Sequence, residues 1–287
     1  MAGFSVVVPI RNEVSLIPKT LPSYIALCPD ELIICLDRPA PEDVLTSVKK
    51  VLDGCHFNNK TKILEIDSFG WRFKMAKVRR VGFLATSYDR IFTGDIDCVV
   101  NENCHKAIGA IGENNIAMAS VTKFHLPKKL IDIYRLIGYG IIKVYIHRIA
   151  KKFGASSFSG QYALYKPYWL DVPEELEDAK KMFSVKQKMR QGKIEMTDMG
   201  LSSMGEDIHM REFIAKKHKV VYLSDIGAYV LSDPYENNPV VQFWKGTYFA
   251  SRGRSLIISI ARAFLRCQPY YLMGCLYERR RMRCQNN

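Results

Sequence analysis

Near the start of the chain, apolar residues come in short unbroken runs rich in β-branched side chains, and amphipathic stretches separate them. Phe4–Pro9 (FSVVVP) and Glu31–Leu36 (ELIICL) show no polar alternation, the pattern of strands covered on both faces. Lys62–Ile66 and Arg90–Thr93 are further strand candidates. Between them, Glu13–Leu27, Pro41–Leu52 with proline in its first turn, and Phe73–Thr86 read as helices. This alternation predicts βαβ units around a parallel sheet, whose ligands bind at the carboxyl ends of the strands. Pro9–Asn12, Asp37 and Asp95–Asp97 fall at such ends.

From His105 the texture changes. Leu126–Lys152 is long, apolar and basic, and Ser156–Tyr165 (SSFSGQYALY) reads as loop into strand. Glu174–Gln191 and Gly205–Lys217 read as helices, Val220–Leu223 as a strand, and everything after Gln242 as basic and helical. There is no internal repeat, and the softest boundary lies near Asp233–Pro239.

Composition narrows the class. With 287 residues, 48% of them apolar, the chain has room for one large α/β domain with an extension. The net charge of +13 points to an anionic partner: a phosphate-rich ligand, an acidic membrane surface or nucleic acid. The excess is concentrated at the end, where Arg252–Arg283 holds a single acid, Glu278. The eight cysteines form no CxxC pair, which argues against a zinc site and a disulfide framework and for small buried hydrophobes in a reducing compartment. The N-terminus has no signal-peptide pattern, and no run of about 20 apolar residues spans a bilayer. The expected location is cytoplasmic, with peripheral attachment to the inner face of the membrane left open. Leu126–Lys152, with Tyr134, Tyr139 and Tyr145 among its basic residues, suits an anionic lipid interface as well as it suits a helix packed on the sheet.

Three groups of residues suggest chemistry. Asp95-Ile96-Asp97 places two carboxylates on one face of an extended chain with Ile96 turned to the core, a hard-oxygen site for Mn²⁺ or Mg²⁺. A solvated turn is the competing reading. Glu206-Asp207 follows Gly205 at a helix start; acids cap such ends, and a carboxylate there also serves as a general base toward an acceptor hydroxyl. Pro9-Ile10-Arg11-Asn12-Glu13 follows the first strand, where a turn and helix start explain Asn12 and Glu13 equally well. Asp37, after the second strand, either caps the next segment or accepts hydrogen bonds from a base or ribose.

In order, SVVVPIRNE, LDRP, the Arg-bearing helix KMAKVRRVG, GDID, SFSGQYALY and GEDIH resemble the family-two, inverting nucleotide-sugar glycosyltransferases with a GT-A fold, over roughly residues 4–230. The resemblance implies an α/β fold with a Rossmann-like, mostly parallel central sheet flanked by helices, and a basic helical C-terminal extension. It places the GT-A domain at 1–235, with a nucleotide-binding half at about 1–104 and an acceptor-side half at about 105–235, and the extension at 236–287. By the same resemblance Pro9, Arg11, Asn12, Glu13, Asp37, Arg79, Asp95, Ile96 and Gly160 form the nucleotide-sugar site. Asp97 and Asp95 hold the metal, Asp207 is the base and Glu206 stands beside it. Family members often supply a later histidine as third metal ligand; the corresponding AYVLSDPYENN offers Asp233, with His209 and His218 as alternatives. Asp37 is followed by Arg-Pro where members commonly have a second acid, and the Gln-x-x-Arg-Trp signature of processive enzymes is absent, so transfer of a single sugar is expected.

The expected partners are a UDP- or GDP-sugar donor, a glycan or polyprenyl-phosphate-type acceptor, and an anionic membrane surface. Two other functions remain open on the sequence: a sugar-nucleotide-binding protein without turnover, and a basic nucleic-acid-binding protein. The second is disfavoured because the basic residues form no recognition motif, and nucleic acid is not among the expected partners.

Overall fold

The structure is a computed structural model; it describes residues 2–38, 40–57, 59–68, 74–125, 134, 137, 161–173, 210–211, 213–231, 239–251, 255–265 and 267–286. The chain divides into two compact units, Met1–Phe124 with Ser157–Ser232, and His125–Ser156 with Asp233–Asn287. The predicted stretches Leu126–Lys152 and Glu174–Gln191 lie outside the described residues, apart from positions 134 and 137, as does most of Gly205–Lys217.

In the first unit, strands β1 (Phe4–Ile10), β2 (Glu31–Asp37), β3 (Lys60–Ile66) and β4 (Arg90–Thr93) alternate with helices α1 (Ile17–Ile25), α2 (Glu42–Gly54) and α3 (Lys74–Ala85). There follow β5 (Cys98–Val99), α4 (Cys104–Ala110), β6 (Ile116–His125), β7 (Tyr162–Tyr165), the single turn α5 (Lys166–Trp169) and β8 (Lys219–Val230). They build one eight-stranded sheet in the order β3-β2-β1-β4-β7-β6-β8-β5. The first four strands run parallel, with Val7 opposite Ile33 and Thr93, whereas β7 is antiparallel to both β4 and β6.

Every residue of β1 and β2 is buried. The period-two pleat explains the apolar runs, because successive side chains feed opposite faces. Val6, Val8, Ile10, Leu32, Ile34 and Leu36 pack against Ile17, Leu21 and Tyr24 of α1 and Val44 and Val48 of α2. Val7, Ile33 and Cys35 face the other way, onto Val78 and Phe83 of α3 and onto Trp169. The result is a helix–sheet–helix sandwich. Burial pushes the Cys35 thiol up to about 12, so it behaves as a small hydrophobe.

The amino ends of these strands are pinned by a buried acid. Glu31, fully buried, accepts hydrogen bonds from Ser5 Oγ (2.8 Å), Ser87 N (2.7 Å) and Ser87 Oγ (3.0 Å), and pairs with Lys62 Nζ (3.0 Å) and Lys60 Nζ (3.2 Å). It ties together β1, β2, β3 and the turn before β4.

In the second unit, α6 (Pro239–Ser251), α7 (Leu256–Leu265) and α8 (Pro269–Asn286) pack together, with Ala250, Ala263, Tyr271 and Cys275 at the centre. The crossing of α6 and α8 is close. A Cβ on Gly246 would lie 2.0 Å from the Tyr271 carbonyl oxygen, and one on Gly274 2.0 Å from that of Phe243. Glycine is required at both positions because backbone meets backbone. None of the described helices is long and apolar enough to cross a membrane.

Burial alone would raise the Glu31 pKa, but the Ser87 N–H, the Ser5 hydroxyl, Lys62 and the Ser87 hydroxyl outweigh it and lower the value from 4.5 to about 2. A depressed carboxylate stabilises the fold above its unfolded pKa, and that contribution is lost as pH falls through the folded value. Glu31→Gln should therefore destabilise the chain by on the order of 2 kcal/mol at neutral pH. The gap from wild type should close between pH 4.5 and 2. Urea unfolding across that range checks this; a gap independent of pH refutes the ionic role.

Candidate functional site

Three parallel strands end side by side with polar residues. β1 ends at Ile10 and leads into Arg11-Asn12-Glu13, β2 ends at Asp37, and β4 ends at Thr93 before Gly94-Asp95-Ile96-Asp97. Parallel direction makes these carboxyl ends coincide on one edge of the sheet.

Pro9 is buried within β1, opposite Cys35. Glu13 shapes the turn: its Oε2 accepts from the backbone N–H of Arg11 (2.9 Å) and of Asn12 (3.0 Å). Asn12 is exposed. Half-buried Arg11 sends its Nε to within 3.5 Å of Asp37 Oδ2. Asp37 is almost fully buried, and the hydroxyl of buried Ser68 donates to its other oxygen. It is therefore a fixed acceptor. Arg38 turns outward to Glu65, 2.8 Å from Nε.

The sequence reading takes Asp95-Ile96-Asp97 as extended. The structure shows a turn, in which the Cys98 N–H donates to the Asp95 carbonyl (3.0 Å). The reversal is needed because the chain must enter β5 and pair with β8, Cys98 opposite Val230. Ile96 is buried in the core as that reading expects, and both aspartates are half-buried. Leu231, just after β8, donates its N–H to the Asp97 carbonyl (2.8 Å), which fixes the turn from its far side.

Two side chains not singled out in the sequence hold the near side. Tyr24 of α1 donates its hydroxyl to the Asp95 carbonyl oxygen (2.8 Å) and lies 3.3 Å from Gln161 Oε1. Both are fully buried. Burial first, then Cys98, Asp95 and Asp97, push the Tyr24 phenol well above its ordinary range, so it stays a proton donor. Gly94 leaves the space: a Cβ there would fall 1.6 Å from Gln161 Oε1 and 2.5 Å from the Tyr24 hydroxyl. Tyr24 looks like an ordinary core residue on an apolar helix face, and nothing in the sequence separates it from one. Gln161 does have a signal, since it stands beside Gly160 in the SGQYALY segment.

Arg79, on α3 and buried, pairs with the Asp95 carboxylate. The helical arginine and the acid after β4 are thus brought together. Asp97 Oδ1 lies 3.1 Å from Cys98 Sγ. Gly160, Glu206, Asp207, His209 and Asp233 lie outside the described residues. His218 is described, on the far side of β8's start, where its ring stacks on Tyr168 (3.9 Å) and meets Asn115 (2.7 Å), away from the aspartates.

As donors, Asp95 and Asp97 are hard oxygens. Among the described residues no group of three or more His, Cys, Asp or Glu converges. A cation on this pair would therefore complete its shell with oxygens from outside that set, which suits Mg²⁺ or Mn²⁺ bound together with a phosphate.

Solved structures resemble this architecture. One is a mannosyltransferase from Pyrobaculum calidifontis in complex with GDP-Man and Mn²⁺, at TM-score 0.55 and 14% identity, over 96% of this chain and 74% of that one. Another is glucosyl-3-phosphoglycerate synthase from Mycobacterium tuberculosis in complex with Mn²⁺, UDP and phosphoglyceric acid, at TM-score 0.50 and 14% identity, over 88% of this chain and 80% of that one. This chain has the GT-A fold. No family model and no curated protein matches it. Within the GT-A sheet, Arg11, Asp37, Arg79, Asp95 and Asp97 lie along the edge formed by the carboxyl ends of the parallel strands.

Tyr24→Phe should cost about 1 kcal/mol, the net worth of one buried hydrogen bond. Paired with Gln161→Leu in a double-mutant cycle, it should show a non-additive coupling of at least about 0.5 kcal/mol. Chemical unfolding of the four chains measures both, and strict additivity would mean that the two side chains do not act together on the turn.

Proposed function

We propose that the chain is a metal-dependent inverting glycosyltransferase that moves one sugar from a UDP- or GDP-sugar to an acceptor. The observation that carries this reading is the meeting of Asp37, Asp95 and Asp97 with Arg11 and Arg79 at one edge of a GT-A sheet. The solved neighbours in complex with UDP or GDP-Man and with Mn²⁺ support it.

In this reading Pro9, Arg11, Asn12 and Glu13 shape one wall of the nucleotide pocket. Asp37, held rigid by Ser68 and Arg11, accepts hydrogen bonds from the base or ribose. Arg79 through the carboxylate and Tyr24 through the carbonyl hold Asp95 toward the ribose or metal, with Ile96 beside it in the nucleotide-sugar site. Asp97 and Asp95, with Asp233 as third ligand on the strength of the sequence resemblance alone, would hold Mn²⁺ or Mg²⁺. Bound there, the ion supplies charge neutralisation of the leaving diphosphate. By the sequence resemblance alone, Gly160 is assigned to the donor sugar. By the same resemblance Asp207 takes the proton from an acceptor hydroxyl attacking the face opposite the leaving group, with Glu206 as its neighbour in sequence. A lipid phosphate acceptor is already ionised, and Asp207 then orients it instead. A glycan or polyprenyl-phosphate-type acceptor at the inner face of a membrane accords with the basic charge.

Thermal unfolding with UDP, GDP and their sugars, with and without Mn²⁺, tests the donor site. A nucleotide at about 100 times its Kd should add about 2.7 kcal/mol, seen as a shift of several degrees for a chain of this size. The shift should need Mn²⁺ and vanish in Asp97→Ala; no shift with any nucleotide refutes the proposal. Asp207→Asn should keep the shift but lower turnover at least about a hundredfold. Donor binding without product in wild type as well would leave a sugar-nucleotide-binding protein.

A further inference from the structure

The second unit contains a helix that is inside out. α7 buries Ser259 and Ala263, one turn apart, and turns Ile257, Ile260 and Phe264 outward on the opposite stripe. Ile257 is 79% exposed and Phe264 75%, large values for side chains of this size. The hydroxyl of Ser259 donates to the Ser255 carbonyl (3.0 Å), so the buried polar atom is satisfied within the helix.

α8 repeats the inversion along its length. Tyr271, Gly274, Cys275 and Glu278 form its buried stripe, whereas Tyr270, Met273, Leu276 and Tyr277 are exposed in its first half and Arg280 and Arg283 in its second. Large apolar side chains exposed in this number along two consecutive helices mark an interaction site.

Charge identifies the occupant. Arg252–Arg283 contains eight arginines and one acid. That acid, Glu278, is buried and paired with Arg281 (2.9 Å to Nε), so it offers no negative charge to the outside. A second copy seated on this face would bring its own Arg280 and Arg283 against these, and like charges repel. An anionic bilayer offers both an apolar interior and negative headgroups. Tyrosines at the border and arginines beside an apolar stripe are the composition of helices that lie in that interface. α7, with 10 residues, is about 15 Å long, half of the hydrocarbon thickness. It suits lying in the surface, not crossing it.

We propose that the outward faces of α7 and the first half of α8 dock on an anionic lipid bilayer, with Ile257, Ile260 and Phe264 entering the acyl boundary and Arg280 and Arg283 meeting the headgroups. This concerns binding to lipid and stands whether or not the chain transfers a sugar.

Cosedimentation of the full chain with vesicles tests it, using phosphatidylcholine alone and phosphatidylcholine with one-third phosphatidylglycerol. Wild type should bind the anionic vesicles at least about tenfold more tightly than the neutral ones, and less at about 0.5 M salt. Ile257→Ser with Phe264→Ser should weaken that binding about tenfold or more. These side chains are exposed, so folding should survive, and a thermal unfolding curve checks it. Arg280→Glu with Arg283→Glu is a second, independent variant and should remove most of the salt-sensitive part. Equal binding to both vesicle types, no binding, or binding untouched by both variants overturns the proposal. So does a concentration-dependent dimer abolished by the Ile257/Phe264 variant, which would assign the face to a second copy.

Discussion

The parallel strands β1 and β2 are buried on both faces, and that constraint organises the first unit. A strand covered on both sides has no room for a polar side chain along its length unless a partner is built for it. Glu31 and Ser5 are such an exception, satisfied by each other, by Ser87 and by two lysines. Otherwise polar chemistry is displaced to the strand ends. The parallel direction then collects Arg11, Asp37 and Asp95–Asp97 on one edge, from segments distant in sequence.

The same edge shows how the site is kept rigid. Asp37 is held by Ser68 and Arg11, and Asp95 by Arg79 through its carboxylate and by Tyr24 through its carbonyl. Leu231 adds a backbone bond to Asp97. Each acid is fixed by groups from a different element, so the site's geometry follows from the packing of the whole sandwich and does not depend on any single loop.

Much of this is legible in the sequence because the signals are strong and local. The unbroken runs at Phe4–Pro9 and Glu31–Leu36 predict buried parallel strands, and both appear, each one residue longer. Arg90–Thr93 matches its strand residue for residue. The GDID segment falls at a strand end as expected, but its turn depends on β5 pairing with β8, more than a hundred residues away, and no local pattern reports that. β6 has no clear sequence signal for a similar reason. Its sequence IAMASVTKFH mixes small and polar residues and is a strand because β7 pairs with it. Tyr24 carries no local signal, because a core tyrosine and a tyrosine that holds the turn at Asp95 have the same local sequence.

The crossing of α6 and α8 has a consequence for solvent. At Gly246 and Gly274 the two backbones touch, so dispersion between close-packed main chains adds to the packing of Phe243 on Tyr277 and of Phe249 on Tyr271 in holding the pair. Attraction of that kind survives a change of medium from water to hydrocarbon. Two helices joined in this way keep their mutual geometry on either side of a lipid boundary, and their outer residues are left free to match whichever medium they meet.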